Sequence, residues 1–261
     1  MRIELDPRKT VASVRQRWQS SKRRRMLRHF DFGGCKRMYL YHIRKTAGTS
    51  LIKSLMSLNG SDGEAAFTTL ANNSDQSLVA NDMIYAGWVK SLIETGDYSF
   101  GFSHHSYDEI ELPSSTFRFT CLRNPAERVI SHYRMLKDFS LQPKPHECFV
   151  TEGAWLGNSF DDFLDRTPRQ HLLNQLYMFS NSYSIDEAVS RICSLEHVLF
   201  VEDYSKGVAA LGRKTGLAIR DRHDRRSKQK IQISKDSKSR LNEMMQDEFD
   251  LLAAVREQLG R

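Results

Sequence analysis

The chain has 261 residues, with 39 Lys/Arg against 32 Asp/Glu and nine His. That length holds one large domain or two small ones with a real core, and fourteen Phe, nine Tyr and three Trp exclude a disordered chain. No window approaches the roughly 18 apolar residues of a membrane span, and the opening MRIELDPRKT lacks the apolar segment of a secretory signal, so the sequence reads as soluble and cytoplasmic. Cys35, Cys121, Cys148 and Cys193 form no CxxC pair and sit at no zinc-finger spacing, so they read as reduced thiols. The charge is uneven. Residues 1–37 carry 12 Lys/Arg against 3 Asp/Glu, and Arg213–Arg240 carries 11 against 3. Two basic segments so far apart point to an anionic partner, with solvated surface charge as the plainer explanation of the same pattern.

In chain order, residues 1–36 read as a basic helical arm and 37–261 as the folded domain. Met38–Ile43 reads as a first strand and Thr49–Leu58 as its helix. Residues 59–82 are polar and turn-rich, a loop with short helical pieces. Tyr98–His104 and Phe117–Arg123 read as short buried strands. Asn124 as N-cap and Pro125 at the first helical position then start a helix to Lys137. Leu141–Asn158, with two Pro and two Gly, reads as a surface excursion. Helices are expected at Phe160–Leu164, Pro168–Ser180 and Ile185–Leu195, a strand at His197–Val201, and a helix from Tyr204 to Gly216. Arg220–Lys230 is a basic loop. A C-terminal helix over Leu241–Leu259 follows from the spacing of Leu241, Met244, Met245, Glu248, Leu251, Leu252 and Val255. Strands alternating with helices define an α/β fold with a mainly parallel sheet, in which ligands bind beyond the carboxyl ends of the strands.

Three strand ends carry chemistry. The first runs into YHIRKTAGTS, residues 41–50, which combines two cations, a glycine and three hydroxyls where a strand becomes a helix. Unpaired N–H groups at a helix start favour an anion, Gly48 permits close backbone approach, and Thr46, Thr49 and Ser50 can donate further hydrogen bonds. Lys45 suits charge growing on a leaving oxygen. This is the logic of a phosphate cradle without the GxxxxGK[ST] order and without a clear carboxylate pair for Mg²⁺. An ordinary basic strand–helix turn would have the same composition. The second stretch, CLRNPAERVISHYRML, repeats the theme: Arg123 ends a strand, and Ser131 follows about two turns into the next helix. An Arg and a hydroxyl so placed can grip one phosphate from two sides.

Together HIRKTAGTSL and LRNPAERVISHY resemble the two cofactor loops of sulfotransferases that use 3'-phosphoadenosine-5'-phosphosulfate (PAPS). The nearest resemblance is to the carbohydrate branch of the heparan-sulfate 2-O type and its bacterial relatives. It covers residues 38–56 and 117–137 in the expected order. The resemblance implies a three-layer fold like that of P-loop NTPases, with PAPS as co-substrate and no metal. It implies that Arg44, Lys45, Thr46, Ala47, Gly48, Thr49 and Ser50 cradle the phosphosulfate, and that Arg123 and Ser131 hold the 3'-phosphate. Arg44 stands where the family usually has Pro, so the loop lacks that fixed φ. In GFSHHSYDEI a His is in the right titration range to take an acceptor proton, and His104 matches the family position best, with His105 as the alternate. Asn174 and Gln175 in RQHLLNQLYMFS resemble the helix that lines the acceptor cleft; a surface amide pair would look the same. Arg226, Ser227 and Lys228 fall where relatives close a segment over the nucleotide, although Asp224-Arg225 replaces the usual Asn there.

The expected function is therefore transfer of a sulfuryl group from PAPS to an acceptor hydroxyl of a glycan, lipid or small alcohol, a carbohydrate first, with no nucleic acid as partner. Two alternatives remain from the sequence. A P-loop-like nucleotide kinase would require ATP and Mg²⁺. A non-catalytic polyanion-binding protein would use Arg23–Arg25 and Arg220–Lys230 and show salt-sensitive affinity without turnover.

Overall fold

The computed structural model describes residues 29–222 and 231–260. The basic arm over residues 1–28 and the contacts expected of Arg226, Ser227 and Lys228 lie outside the described residues.

The central strand β1 (Arg37–Tyr41) sends Met38 and Leu40 to one face and Tyr39 and Tyr41 to the other, as the two-residue repeat of a strand requires, and all four are buried. Burial on both faces makes it the middle of a sheet rather than a surface strand. Its neighbours are β4 (Phe100–Ser103) and β5 (Thr116–Leu122), both parallel to it. Beyond β5 lies β6 (His197–Phe200), also parallel. Beyond β4 lie β3 (Met83–Gly87), parallel, and the edge strand β2 (Ser77–Ala80), antiparallel, giving the order β2-β3-β4-β1-β5-β6.

Helices cover both faces. On the Met38/Leu40 face, Leu51, Ile52, Leu55 and Met56 of α1 (Gly48–Met56) pack with Phe100, Phe102, Phe119 and Leu199. Helix α2 (Gly63–Asn72) packs against α1, and the short α3 (Lys90–Thr95) follows β3. The other face carries α4 (Pro125–Ser140), α5 (Glu147–Glu152), α6 (Phe160–Arg166), α7 (Arg169–Leu172), α8 (Asn174–Phe179) and α9 (Ile185–Cys193). Their core contains Tyr39, Tyr41, Val129, Tyr133, Phe163, Leu176 and Phe179. Helix α10 (Tyr204–Thr215) belongs to the first face, and α11 (Lys235–Met244) and α12 (Gln246–Gln258) to the second. This three-layer arrangement around a mainly parallel sheet is the expected fold class.

The structure departs from the sequence expectations in three places. Residues 59–82 are not mainly loop: Asp62 caps α2 by accepting from Glu64 N and Ala65 N, and Ser77–Ala80 pairs with the fully buried MIYAG strand. The single helix expected over 168–180 is two, α7 and α8, joined at Leu173. The C-terminal helix likewise breaks at Met245 into α11 and α12. Both breaks serve one buried carboxylate. Glu248 accepts from Gln175 N at 2.6 Å and Leu176 N at 3.2 Å, the first-turn N–H groups of α8.

Candidate active site

Because β4, β1 and β5 are adjacent and parallel, their carboxyl ends deliver His104, Lys45 and Arg123 to one edge. The loop after β1 turns through two left-handed non-glycine residues, Lys45 (φ 69°) and Ala47 (φ 64°). Alternation of this kind turns successive N–H groups toward a common hollow that accepts an anion. Ala47 is the N-cap of α1 and provides no side-chain cap, so the helix start has N–H groups to offer. Thr46 is buried and donates from Oγ1 to Ile43 O at 3.0 Å, which fixes the turn. Gly48 also answers to packing. A Cβ there would lie 2.1 Å from Cδ2 of His42, so glycine is required by the imidazole packed beneath the helix start.

The second motif forms as expected. Asn124 Oδ1 accepts from Glu127 N at 3.1 Å, with Pro125 in the first helical turn of α4. Arg123 Nη1 donates to Lys45 O at 3.1 Å, which ties the two motif loops directly to each other. The Arg123 backbone is clamped by Gln175, whose Oε1 accepts from Arg123 N at 2.8 Å and whose Nε2 donates to Arg123 O at 2.9 Å. Ser131 lies on the same helix, half-buried, and its hydroxyl has no hydrogen-bond partner among the described residues.

His104 and His105 differ sharply. His104 Nδ1 lies 2.5 Å from His42 O. A carbonyl only accepts, so Nδ1 carries the proton and Nε2 keeps the lone pair. The His104 ring sits 4.4 Å from the His42 ring, and the residue is exposed. Removal of surrounding water, and then the charge of Arg44, push its pKa down to about 4. Burial and the nearby His104, Arg44 and Lys45 hold His42 well below the ordinary histidine value as well. His105 is instead engaged by Trp88 O at 3.2 Å and Glu109 Oε2 at 3.9 Å.

Asn174 and Gln175 both bond to the motif loops. Asn174 Oδ1 accepts from Arg44 N at 3.2 Å, and its Nδ2 donates to Gln170 O at 3.1 Å. Gln175 is fully buried, held by Arg123 and by Glu248 Oε2 at 3.0 Å.

The sequence reading missed a carboxylate beneath the site. Glu152, at the end of α5 in the supposed surface excursion, is buried. One of its oxygens pairs with Arg44 Nη1, and the other accepts from His132 Nε2 at 2.7 Å. Its pKa is lowered by His132 and Arg44 despite burial, which acts the other way. His171 lies close by, its ring 4.6 Å from that of Trp155, and burial followed by the Arg44 charge brings its pKa to about 4. The signal that could have flagged Glu152 was a lone acid amid TEGAWL, and Arg44 in the Pro position needed a counter-charge.

Two cavities lie elsewhere. One of about 640 Å³ is lined by Asn124, Glu127, Asn242 and Phe249, and one of about 480 Å³ by Tyr41, Tyr107, Arg118 and Glu196. Neither includes Lys45, His104 or Ser131. Those three residues lie instead at the carboxyl edge of the sheet and on the helix that follows β5.

A left-handed loop and an uncapped helix start, tied to a second cationic strand end, give this α/β protein a strand edge suited to an anion. Residues 28–253 match the family model described as "Sulfotransferase family", and the chain belongs to that family. It is therefore a transferase with a donor and an acceptor substrate, and sulfuryl transfer is its chemistry. No curated protein matches the chain. Among the described residues, no helix is long and apolar enough to cross a membrane.

Proposed function

We propose that this sulfotransferase uses PAPS as donor and that His104 is the base for the acceptor hydroxyl. The observation that carries this reading is the 3.1 Å bond from Arg123 Nη1 to Lys45 O. It joins the loop suited to a 5'-phosphosulfate to the helix suited to a 3'-phosphate, and PAPS carries both groups. The residues present fit such a donor: the helix start of α1 has no side-chain cap, Lys45 and Ala47 are left-handed, and the Ser131 hydroxyl has no hydrogen-bond partner among the described residues.

When bound, PAPS supplies the sulfuryl group and a 5'-phosphate as leaving group. Lys45 and the N–H groups of the loop hold negative charge on the departing phosphate. Arg123 and Ser131 hold the 3'-phosphate. His104 Nε2 takes the acceptor proton, and the Nδ1 bond to His42 O keeps that tautomer in place. A carbohydrate acceptor is supported by the resemblance of both loops to the heparan-sulfate 2-O branch.

The test is calorimetric binding of adenosine 3',5'-bisphosphate beside ADP and AMP, without Mg²⁺, for the wild type and Arg123→Ala. Tight binding of the bisphosphate alone, lost in the variant, is the expected result. Equal or absent binding of all three nucleotides overturns the donor assignment.

A further inference from the structure

The cavity of about 480 Å³ is lined by two strands and a connection. Tyr41 of β1 and Arg118 of β5 share one face of the sheet, because Arg118 pairs with Tyr39 in parallel register. The residues between β4 and β5 supply Tyr107, Ile110, Leu112 and Pro113. That connection is pinned at both ends: Tyr107 N donates to Met178 O at 2.7 Å, and Lys36 N donates to Ser115 O at 3.0 Å. The volume falls in the range of small-molecule sites, roughly 300–1,000 Å³, and walls held in this way are formed before a ligand arrives.

Tyr41 is the unusual member. Tyr39 on the same face shares a hydrogen bond with Ser103 Oγ at 2.7 Å. Tyr41 is only 2% exposed, and its hydroxyl has no hydrogen-bond partner among the described residues. A buried hydroxyl without a partner is costly. Its ring is fixed between Tyr107 at 5.8 Å and Phe179 at 5.3 Å. Burial raises its pKa above the ordinary tyrosine value, so the hydroxyl stays a donor. Arg118 is held by Glu196, from Nε to Oε2 at 3.1 Å and from Nη2 to Oε1 at 3.0 Å, and Nη2 also donates to Ser194 O at 2.8 Å. Its Nη1 has no hydrogen-bond partner among the described residues. Arg118 and Glu196 cancel in charge and Glu111 adds a negative one, so the lining does not favour an anion. Its spare donors suit a neutral oxygen.

We infer that this cavity is a second small-molecule site, for an uncharged carbonyl compound with a ring-sized apolar body. The carbonyl oxygen accepts from the Tyr41 hydroxyl, with Arg118 Nη1 as a further donor, and the ring packs against Ile110, Leu112 and Tyr107. The site stands apart from the donor reading, since Lys45, Arg123 and Ser131 do not line the cavity. Tyr41 directly precedes His42, whose carbonyl oxygen accepts from His104 Nδ1, so an occupant packs on the strand that positions His104.

The experiment is a ¹H–¹⁵N NMR titration of the full chain with acetophenone, with ethylbenzene, which lacks the carbonyl oxygen, and with benzoate, which carries a charge. Wild type, Tyr41→Phe and Leu112→Trp are compared. Acetophenone is expected to shift the amides of Cys35, Ile110, Leu112 and Thr116 saturably and to leave those of Lys45 to Ser50 in place. Losing one hydrogen bond predicts that ethylbenzene binds about 2- to 10-fold more weakly, and benzoate binds more weakly than acetophenone. Tyr41→Phe brings acetophenone down to the level of ethylbenzene and leaves ethylbenzene unchanged, which a merely structural tyrosine would not do. Leu112→Trp fills the space and abolishes binding of both. Shifts that are absent, or confined to residues 44–50, overturn the inference. So do equal affinities of acetophenone and ethylbenzene in the wild type, tighter binding of benzoate, equal losses of both neutral ligands in Tyr41→Phe, or unchanged binding in Leu112→Trp.

Discussion

Glu248 links the fold to the site, and replacing it measures how tightly. The side chain is fully buried and accepts from Gln175 N, Leu176 N and Gln175 Nε2 at 2.6, 3.2 and 3.0 Å. Its Oε2 also lies 3.6 Å from Arg128 Nε, with both side chains at 0% exposure. At that distance the contact with Arg128 is an ion pair and not a hydrogen bond; Arg128 donates instead from Nη2 to the carbonyls of His171 and Leu172. Glu248→Ala strands two backbone N–H groups, an amide and a buried guanidinium. Stripping one partner from a buried pair costs about 3–5 kcal/mol, and the stranded N–H groups hold the value in the upper part of that range. For a domain of this size each kcal/mol moves the melting temperature by about 2–4 °C, so a fall of about 8–20 °C is expected. Urea denaturation and thermal melting measure it directly. Because Gln175 braces the Arg123 backbone from the other side, affinity for adenosine 3',5'-bisphosphate falls as well. The pair Arg128→Met/Glu248→Gln removes both charges and recovers part of the stability. A loss below about 1 kcal/mol in Glu248→Ala, against the 3–5 kcal/mol of a broken buried pair, refutes the reasoning.

Further outcomes follow from the two histidines at the strand edge. His104→Ala lowers kcat by about 10²- to 10⁴-fold, the usual contribution of a positioned base, while bisphosphate affinity is unchanged; a variant with wild-type kcat removes His104 from the mechanism. With a pKa of about 4, lowered by burial and Arg44, the base is free above that pH. The rate set by kcat/KM therefore rises through about pH 4 and is flat toward neutrality, and an acid limb near the ordinary histidine value of about 6.5 contradicts the assignment. The same depression means that the unfolded chain binds this proton at higher pH than the folded one, so stability also falls as pH drops from about 6.5 toward about 4. Gly48→Ala drives a methyl into the His42 ring, costing about 1–3 kcal/mol as overpacking and weakening bisphosphate binding. Combining it with His42→Ala relieves the clash, so the two losses in melting temperature are less than additive; strict additivity means that the ring is not the obstacle.

The fold class was readable because β1, β4, β5 and β6 are short apolar runs ending in charge, and because Asn124-Pro125 is a local start signal. The strand–turn–helix form of the two motifs was readable for the same reason: each is contiguous in the chain. The antiparallel β2 was hidden because an edge strand needs only half a buried face, and SLVA alternates too briefly to stand out. The break at Met245 was hidden because a helical spacing of apolar residues continues through it, and the turn answers to Gln175, 73 residues from Glu248. Gln175 itself was found by its motif, but only the packed structure reveals that its amide is fully engaged with Arg123 and Glu248. Glu152 was missed because its partners Arg44 and His132 lie 108 and 20 residues away in the chain, so only the pairing with Arg44, and not its local sequence, marks it as buried.

Glu152 also answers the problem posed by Arg44. A proline at that position would limit the backbone by its ring. Here the loop has two non-glycine residues in the left-handed region, each costing of order 1 kcal/mol or more, and no side-chain cap on the helix that follows. Such a conformation persists only when its surroundings hold it. Four ties do so: Arg44 N to Asn174 Oδ1, the Arg44 guanidinium to Glu152, Thr46 Oγ1 to Ile43 O, and Lys45 O to Arg123 Nη1. Three of the four come from residues 78 or more positions away or from the α5 excursion, so the rigidity that a proline supplies within the loop is supplied here by the tertiary structure. Arg44 thereby does two things at once. It anchors the loop after β1 to α5, and its charge adds to the burial that lowers the pKa of His104.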